Sequence, residues 1–181
     1  MGHNSYNENC MNTKICTKCK RKLPLLAFGK HRLCKDGLNP ECKECNKIRS
    51  QKYYRTPSGV YNTIKSRQTY LNKHGDSRSK PFELDKNEFI EWYGSEPKIC
   101  RYCEIPEALL ELIANKYGSR WRRLTIDCKD NALGYRIDNI VLACDKCNIT
   151  KNNMLTYDEM MYVGQNFIKP KWQKLKSSES R

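Results

Sequence analysis

The chain has 181 residues, with 34 Lys and Arg against 20 Asp and Glu, a formal net charge of +14, 38% hydrophobic residues and 11 cysteines. That length allows one ordinary domain or two small ones, and the apolar content is too thin for a hydrophobic core to hold them unaided. Such a charge excludes an acidic solvating chain and favours a polyanionic partner, nucleic acid being the economical choice, through phosphate neutralisation and counterion release.

The start, MGHNSYNENCMNTK, lacks the apolar stretch of a secretory signal, and Tyr6 removes the myristoylation pattern after Gly2. No apolar run approaches the length of a membrane span, so no membrane partner is expected. A reducing cytoplasm is therefore expected, where cysteines serve as metal thiolates rather than disulfides. Residues 1–13 are polar, Asn-rich and aperiodic, and read as a disordered N-terminus. Residues 14–50 form a small loop-rich module with turn signals at Pro24, Gly29, Asp36-Gly37 and Pro40. Within it, Cys16/Cys19 and Cys42/Cys45 are two CxxC pairs, each able to fill two corners of a tetrahedral zinc site. Cys10 and Cys34 are left over.

Residues 51–80 read as a basic helical linker. A helix after Pro57 places Val60, Ile64 and Leu71 on one stripe and Lys65, Arg67 and Lys73 on the other face. That cationic face suits DNA contact, and a solvated basic helix carries the same pattern. Residues 81–168 carry the main domain. Asp85-x-x-Glu88 starts a helix through EFIEWY with Phe89, Ile90 and Trp92 inward, and Pro106 and Gly118 bracket another. Leu124 and Ile126 alternate as in a half-buried strand, Asn131 to Tyr135 turns at Gly134, and Ile140 to Leu142 returns as a second strand. Cys144-x-x-Cys147 then opens a short helix and joins Cys100/Cys103 as a second zinc quartet. So small a ββα unit cannot bury enough to fold alone, and zinc binding, worth on the order of 10 kcal/mol, supplies the difference. Thr156-x-x-Glu159 caps a helix bearing Met160, Met161 and Val163, which Pro170 should end. Residues 169–181 read as a basic, mobile tail.

Strand, Asp127, turn, Gly134-Tyr135, Asp138-Asn139, strand, then CxxCN and Lys151 resembles an HNH, or ββα-metal, nuclease, over about Phe89 to Met160. EFIEWYG followed by CRYC and IDCKDNALGYRIDNIVLACDKCN is similar in order and spacing to PacI-type restriction endonucleases. A zinc CxxC followed at once by Asn is shared with phage endonuclease VII-like nucleases. The resemblance implies an α+β fold: an HNH core with a four-Cys zinc site, preceded by a four-Cys module and connecting helices. It implies that Asp127 and Asn148 are oxygen ligands of one Mg²⁺ or Mn²⁺, and that Asn139 fastens the hairpin loop. Tyr102 corresponds to an active-site tyrosine, and His74 falls where that pattern supplies a histidine. The sequence departs from the family at Cys128, where the usual nuclease has a His base and the PacI-type branch an Arg. A thiol with an ordinary pKa near 8.5 serves neither role well, and the adjacent Lys129 partly replaces the missing cation. Lys129 and Lys151 join the expected DNA contacts.

The leading expectation is thus a DNA endonuclease of restriction, homing or phage type, in the cytoplasm of a bacterial or phage-infected cell, with two structural Zn²⁺ and one catalytic metal. A double-strand break at a palindrome needs two active sites, which a homodimer would provide, whereas a nicking enzyme works as a monomer. The competing expectation is a zinc-stabilised DNA-binding protein on an HNH fold whose catalysis Cys128 has weakened. A zinc-ribbon RNA-binding protein fits the charge and leaves Asp127, Asn139 and Asn148 unexplained.

Overall fold

The computed structural model describes residues 12–117 and 122–179, and it divides at Val60 into two compact units. The expected disorder of residues 1–11, the leftover Cys10 and the helix stop at Gly118 lie outside the described residues.

In the first unit, β1 (Thr13–Ile15) pairs antiparallel with β2 (Lys22–Pro24), and β3 (Phe28–Lys30) with β4 (Leu38–Cys42). Thr13, expected in the disordered segment, opens β1 opposite Pro24. Helix α1 (Lys43–Tyr54) follows, and α2 (Pro57–Lys73) begins at the division. The core is Cys16, Phe28, Cys42 and Cys45, with Cys19, Leu23, Ala27 and Leu38 packed around it. Thiols take the place that aliphatic side chains fill in a larger domain, as the thin apolar content requires.

The second unit is built around β5 (Thr125–Cys128) and β6 (Ile140–Ala143), antiparallel with Asp127 opposite Val141. The expected half-buried alternation gives way to burial on both faces: Leu124, Ile126, Asp127 and Cys128 are all buried. The unit also holds α3 (Lys86–Ser95), α4 (Glu107–Tyr117), α5 (Asp145–Lys151), α6 (Tyr157–Val163) and α7 (Lys169–Glu179), with α5 packed on β5 and α6 on α5. Asp85 caps α3 by accepting from the Asn87 and Glu88 N–H groups, and Thr156 and Glu159 form the reciprocal capping box of α6. On α3 the buried stripe is Phe89 and Tyr93, four residues apart, while Ile90 and Trp92 are half-buried. On α2, Tyr61, Gln68 and Leu71 are buried, and Tyr61 donates to the Leu84 carbonyl and packs on Phe82 and Phe89.

Gly134 turns the hairpin at φ +67° with the Pro81 carbonyl against it, leaving no room for a Cβ. Tyr135 N–H donates to that carbonyl and Glu83 N–H to Tyr135 O, so the 81–84 segment straps the turn. Pro170 does not end the last helical run. A π turn over Gly164–Ile168 links α6 to α7 without a break, and Pro170 follows it in the first turn of α7. Residues 169–179, expected as a mobile tail, are therefore helical. No described helix is long and apolar enough to cross a membrane.

Candidate active site and metal centres

Each CxxC pair folds as the same tight turn. Lys20 and Glu104, immediately after Cys19 and Cys103, have φ of 61° and 59°, and their N–H groups donate to the Cys16 and Cys100 carbonyls. This turn aims both thiols to one side, and the second pair of each quartet arrives where a strand ends and a helix begins, at Cys42/Cys45 and Cys144/Cys147. In both quartets the four Sγ atoms lie within 4.8 Å of one another. Cys103 and Cys144 Sγ stand 3.8 Å apart, close to the ~3.8 Å separation of thiolates at ~2.3 Å around a tetrahedral zinc. Both groups can therefore hold a structural metal such as zinc. Cys16 Sγ also accepts from the Cys42 N–H at 3.3 Å. Cys34 stays outside the first quartet, with its thiol 3.4 Å from His31 Nδ1.

The second quartet frames a polar group. Arg101 N–H donates to Leu142 O at 2.7 Å, laying the Cys100–Cys103 turn on β6, and Tyr102 between those cysteines points inward, wholly buried. Its hydroxyl donates to Asp127 Oδ2 at 2.7 Å. Burial and the Asp127 charge push Tyr102 far above the ordinary phenol range, so it acts as a donor. Lys151, 1% exposed, reaches the same oxygen at 3.7 Å and donates to Cys128 O at 2.8 Å. Burial raises the Asp127 carboxyl above its ordinary value, opposed by Tyr102, Lys151 and Lys80. Asn148 Nδ2 donates to Thr125 Oγ1 at 3.0 Å. Thr125 and Asp127 share one face of β5, and Asn148 and Lys151, three apart, share one face of α5. The hairpin and helix are thus joined by three polar contacts: Asn148 with Thr125, and Lys151 with Asp127 and with the Cys128 carbonyl.

Asn139, buried, donates to the Asp130 and Gly134 carbonyls, both at 2.7 Å, and accepts from the Asp130 N–H. It ties the hairpin loop. Cys128 is fully buried, and its thiol is pushed up to about 11, chiefly by burial, so it is protonated at neutral pH. Lys129 Nζ donates to Asp138 O at 2.7 Å and so braces the loop. Two cations act on both Asp127 and Cys128: Lys151, and Lys80, whose Nζ donates to Asn131 Oδ1 and whose N–H donates to the buried Gln68. Sequence reasoning missed Lys80, which precedes Pro81 in an irregular segment without periodicity. It also missed Thr125, which the two-residue strand period from Asp127 would have marked. Lys151, expected among the DNA contacts, is instead an internal counterion, because its ammonium is enclosed by α5 and β5. Lys65, Arg67 and Lys73 are exposed on α2, with the Lys65 ammonium 5.7 Å from the Tyr61 ring centre. His74, exposed at the end of α2, stacks on Tyr70, and its Nδ1 lies 2.8 Å from Tyr70 O. None of these contacts of His74 reaches the Asp127 group.

The C-terminal run locks the Tyr102 turn from outside. Gln165 donates to Tyr102 O at 2.8 Å and Trp172 Nε1 to Cys103 O at 2.9 Å, while Gly164 lies against the Tyr102 backbone. Lys169 pairs with Glu104 at 2.5 Å.

No protein-family model and no curated protein matches the sequence. Among solved structures the chain is similar to the rare-cutting HNH restriction endonuclease PacI, with a TM-score of 0.52 and 26% identity. The alignment covers 89% of this chain and 96% of that one. With that likeness, the paired hairpin running into α5 through Cys144 and Cys147, and a second four-cysteine module ahead of it, the protein carries the ββα-metal fold of HNH nucleases.

Proposed function

We propose that the protein is an HNH DNA endonuclease that hydrolyses phosphodiester bonds with one divalent cation, Mg²⁺ or Mn²⁺, on a scaffold held by two zinc ions. The observation that carries this reading is the buried Asp127, held by Tyr102 and Lys151 through one carboxylate oxygen beside an Asn148 amide oriented by Thr125. Two hard oxygen donors, the second Asp127 oxygen and Asn148 Oδ1, suit a cation that keeps several waters. When bound, that ion supplies charge stabilisation to the phosphate and the leaving 3′ oxygen. The chain's own residues set the geometry: Tyr102 fixes the carboxylate, Thr125 turns the amide and Asn139 keeps the loop closed. Cys128 does not act as base, since a buried thiol raised to about 11 holds its proton. The resemblance offers His74 for that task, at the end of α2 and outside the contacts that hold Asp127. An Nδ1 bonded to a carbonyl carries the proton, which leaves Nε2 as the basic nitrogen on an exposed ring. Two copies would give the two sites needed to cut a palindrome, in the cytoplasm of a bacterial or phage-infected cell.

The test is cleavage of plasmid and branched DNA with Mg²⁺ or Mn²⁺. Asp127→Asn, which keeps the side-chain volume beside Lys151, is expected to lower cleavage at least a hundredfold with zinc content retained, and to lower the unfolding midpoint because the buried Lys151 loses its counterion. Full activity in Asp127→Asn would overturn the site. The burial of Cys128 favours one second reading, a zinc-stabilised DNA-binding protein with weakened catalysis. Wild-type protein that shifts DNA in a gel and leaves it uncut would establish it instead.

A further inference from the structure

Helix α1 has no hydrophobic stripe to explain its stability. Its sequence, KECNKIRSQKYY, is four basic residues and one acid with a single buried position, Cys45. Polar helices of this kind are stable only when something else holds them. Here both ends are held. The N-terminal end grows out of Cys42 and Cys45 of the first quartet, and the C-terminal end is met by Gly59, where any Cβ would strike the Tyr53 carbonyl. Between these anchors, residues 47–52 are all exposed.

The exposed turns have two different sides. Arg49 pairs with Glu41 at 3.5 Å and donates to Asn46 at 2.6 Å, and Asn46 donates to Glu41 O at 3.3 Å. Cys45, Asn46 and Arg49 therefore form the attached side. Lys47 and Gln51 lie opposite it, and Ile48 with Lys52, also four residues apart, form the exposed flank beside them, so that the four make one outer surface. No acid opposes them there: Glu44, the one acid of α1, is paired with Arg21, and Glu41 with Arg49. The outer side thus offers two cations, one amide that can donate and accept together, and Ile48, 49% exposed.

We propose that α1 is a reading helix for duplex DNA, entering the major groove with Lys47, Ile48, Gln51 and Lys52 while the first zinc quartet serves as its mount. The B-form major groove is wide enough for one helix. A Gln amide pairs with the N6 and N7 of adenine, an aliphatic side chain packs on a thymine methyl, and lysines meet phosphates along the rim. The deep, narrow major groove of an RNA duplex does not admit a helix. This proposal rests on the DNA-acting reading above and gives that reading its source of sequence preference.

Full-length protein, zinc-loaded and without added Mg²⁺, is titrated against a mixed-sequence DNA duplex at several salt concentrations, and in parallel against the matching RNA duplex. For the double variant Lys47→Gln/Lys52→Gln, the slope of log Kd against log salt is expected to fall by about 1.8, two phosphate contacts at about 0.9 each. Zinc content and circular dichroism serve as folding controls. Lys47→Glu/Lys52→Glu, with the same exposed positions and the opposite charge, should weaken binding further. In end-mapped cleavage, Gln51→Ala is expected to relax preference at one adenine of the site by about tenfold. An unchanged salt slope and cleavage map in variants of a wild type that cuts DNA would overturn the inference and leave the nuclease reading standing. Equal affinity for the RNA duplex would also overturn it, and a wild type that binds no DNA would overturn both.

Discussion

Lys151 shows how far one side chain departs from what its letter suggests. A lysine after CxxCN in a strongly basic chain reads as a phosphate contact, yet it is 1% exposed and divides its ammonium between the Cys128 carbonyl and Asp127. Removing one member of a buried pair leaves the other charge without compensation, which costs more than the pair contributes as a whole. Lys151→Met, which keeps the stem and deletes the charge, is expected to lose about 3 kcal/mol of stability, read as a lower urea midpoint with both zinc ions retained. A loss below ~0.5 kcal/mol, the range of ordinary surface changes, would mean that Lys80 and Tyr102 alone hold Asp127. Asp127, Asn139 and Asn148 are legible as candidates through the HNH resemblance that strand, turn and CxxCN carry. Their partners Lys80 and Thr125, and the Gln68 that holds Lys80, are not, because nothing local marks a contact made across the fold.

Caps and turns were the most legible features of the elements, since they are made by residues adjacent in sequence. Asp85 accepts from the Glu88 and Asn87 N–H groups, which hold its carboxyl below the ordinary carboxylate range. A folded value below the unfolded one gives stability that is present above the unfolded value and lost as pH falls through the folded one. Asn accepts the same bonds without a charge, so the gap in thermal midpoint between wild type and Asp85→Asn is expected to shrink as the solution is acidified. A gap constant with pH would show that the charge contributes nothing at this cap. The last helical run was less legible. Pro170 is a stop signal in a helix interior, yet the π turn ahead of it runs on into α7 without a break. With α7 in place, Trp172 and Lys169 reach back to the Cys103–Glu104 turn.

For the molecule as a whole, metal and packing are inseparable, and the two quartets differ in enclosure. All four cysteines of the second are buried, whereas in the first Cys19 is partly exposed. Metal should therefore leave in two phases under a chelator, the N-terminal site first. The near-ultraviolet signal of the second unit is expected to survive the first phase and collapse with the second. Release in one phase, with both units melting together, would overturn this order. Zinc affinity in such sites is folding free energy, so the slow phase should carry the unfolding of the hairpin.

Ligand spacing and strand period are local, so the amino-acid sequence determined the two cysteine quartets, the hairpin running into a helix, and the positions of Asp127 and Asn148. It also carried the charge that points to nucleic acid. Only the tertiary structure decided which charges surround Asp127, that Cys128 is sealed away from water, and that the basic C-terminal run is a helix holding the Tyr102 turn. It likewise decided that α1 stands exposed between two anchors. Each of those outcomes depends on contacts between residues distant in the chain and on the desolvation those contacts impose, neither of which any run of neighbouring residues encodes.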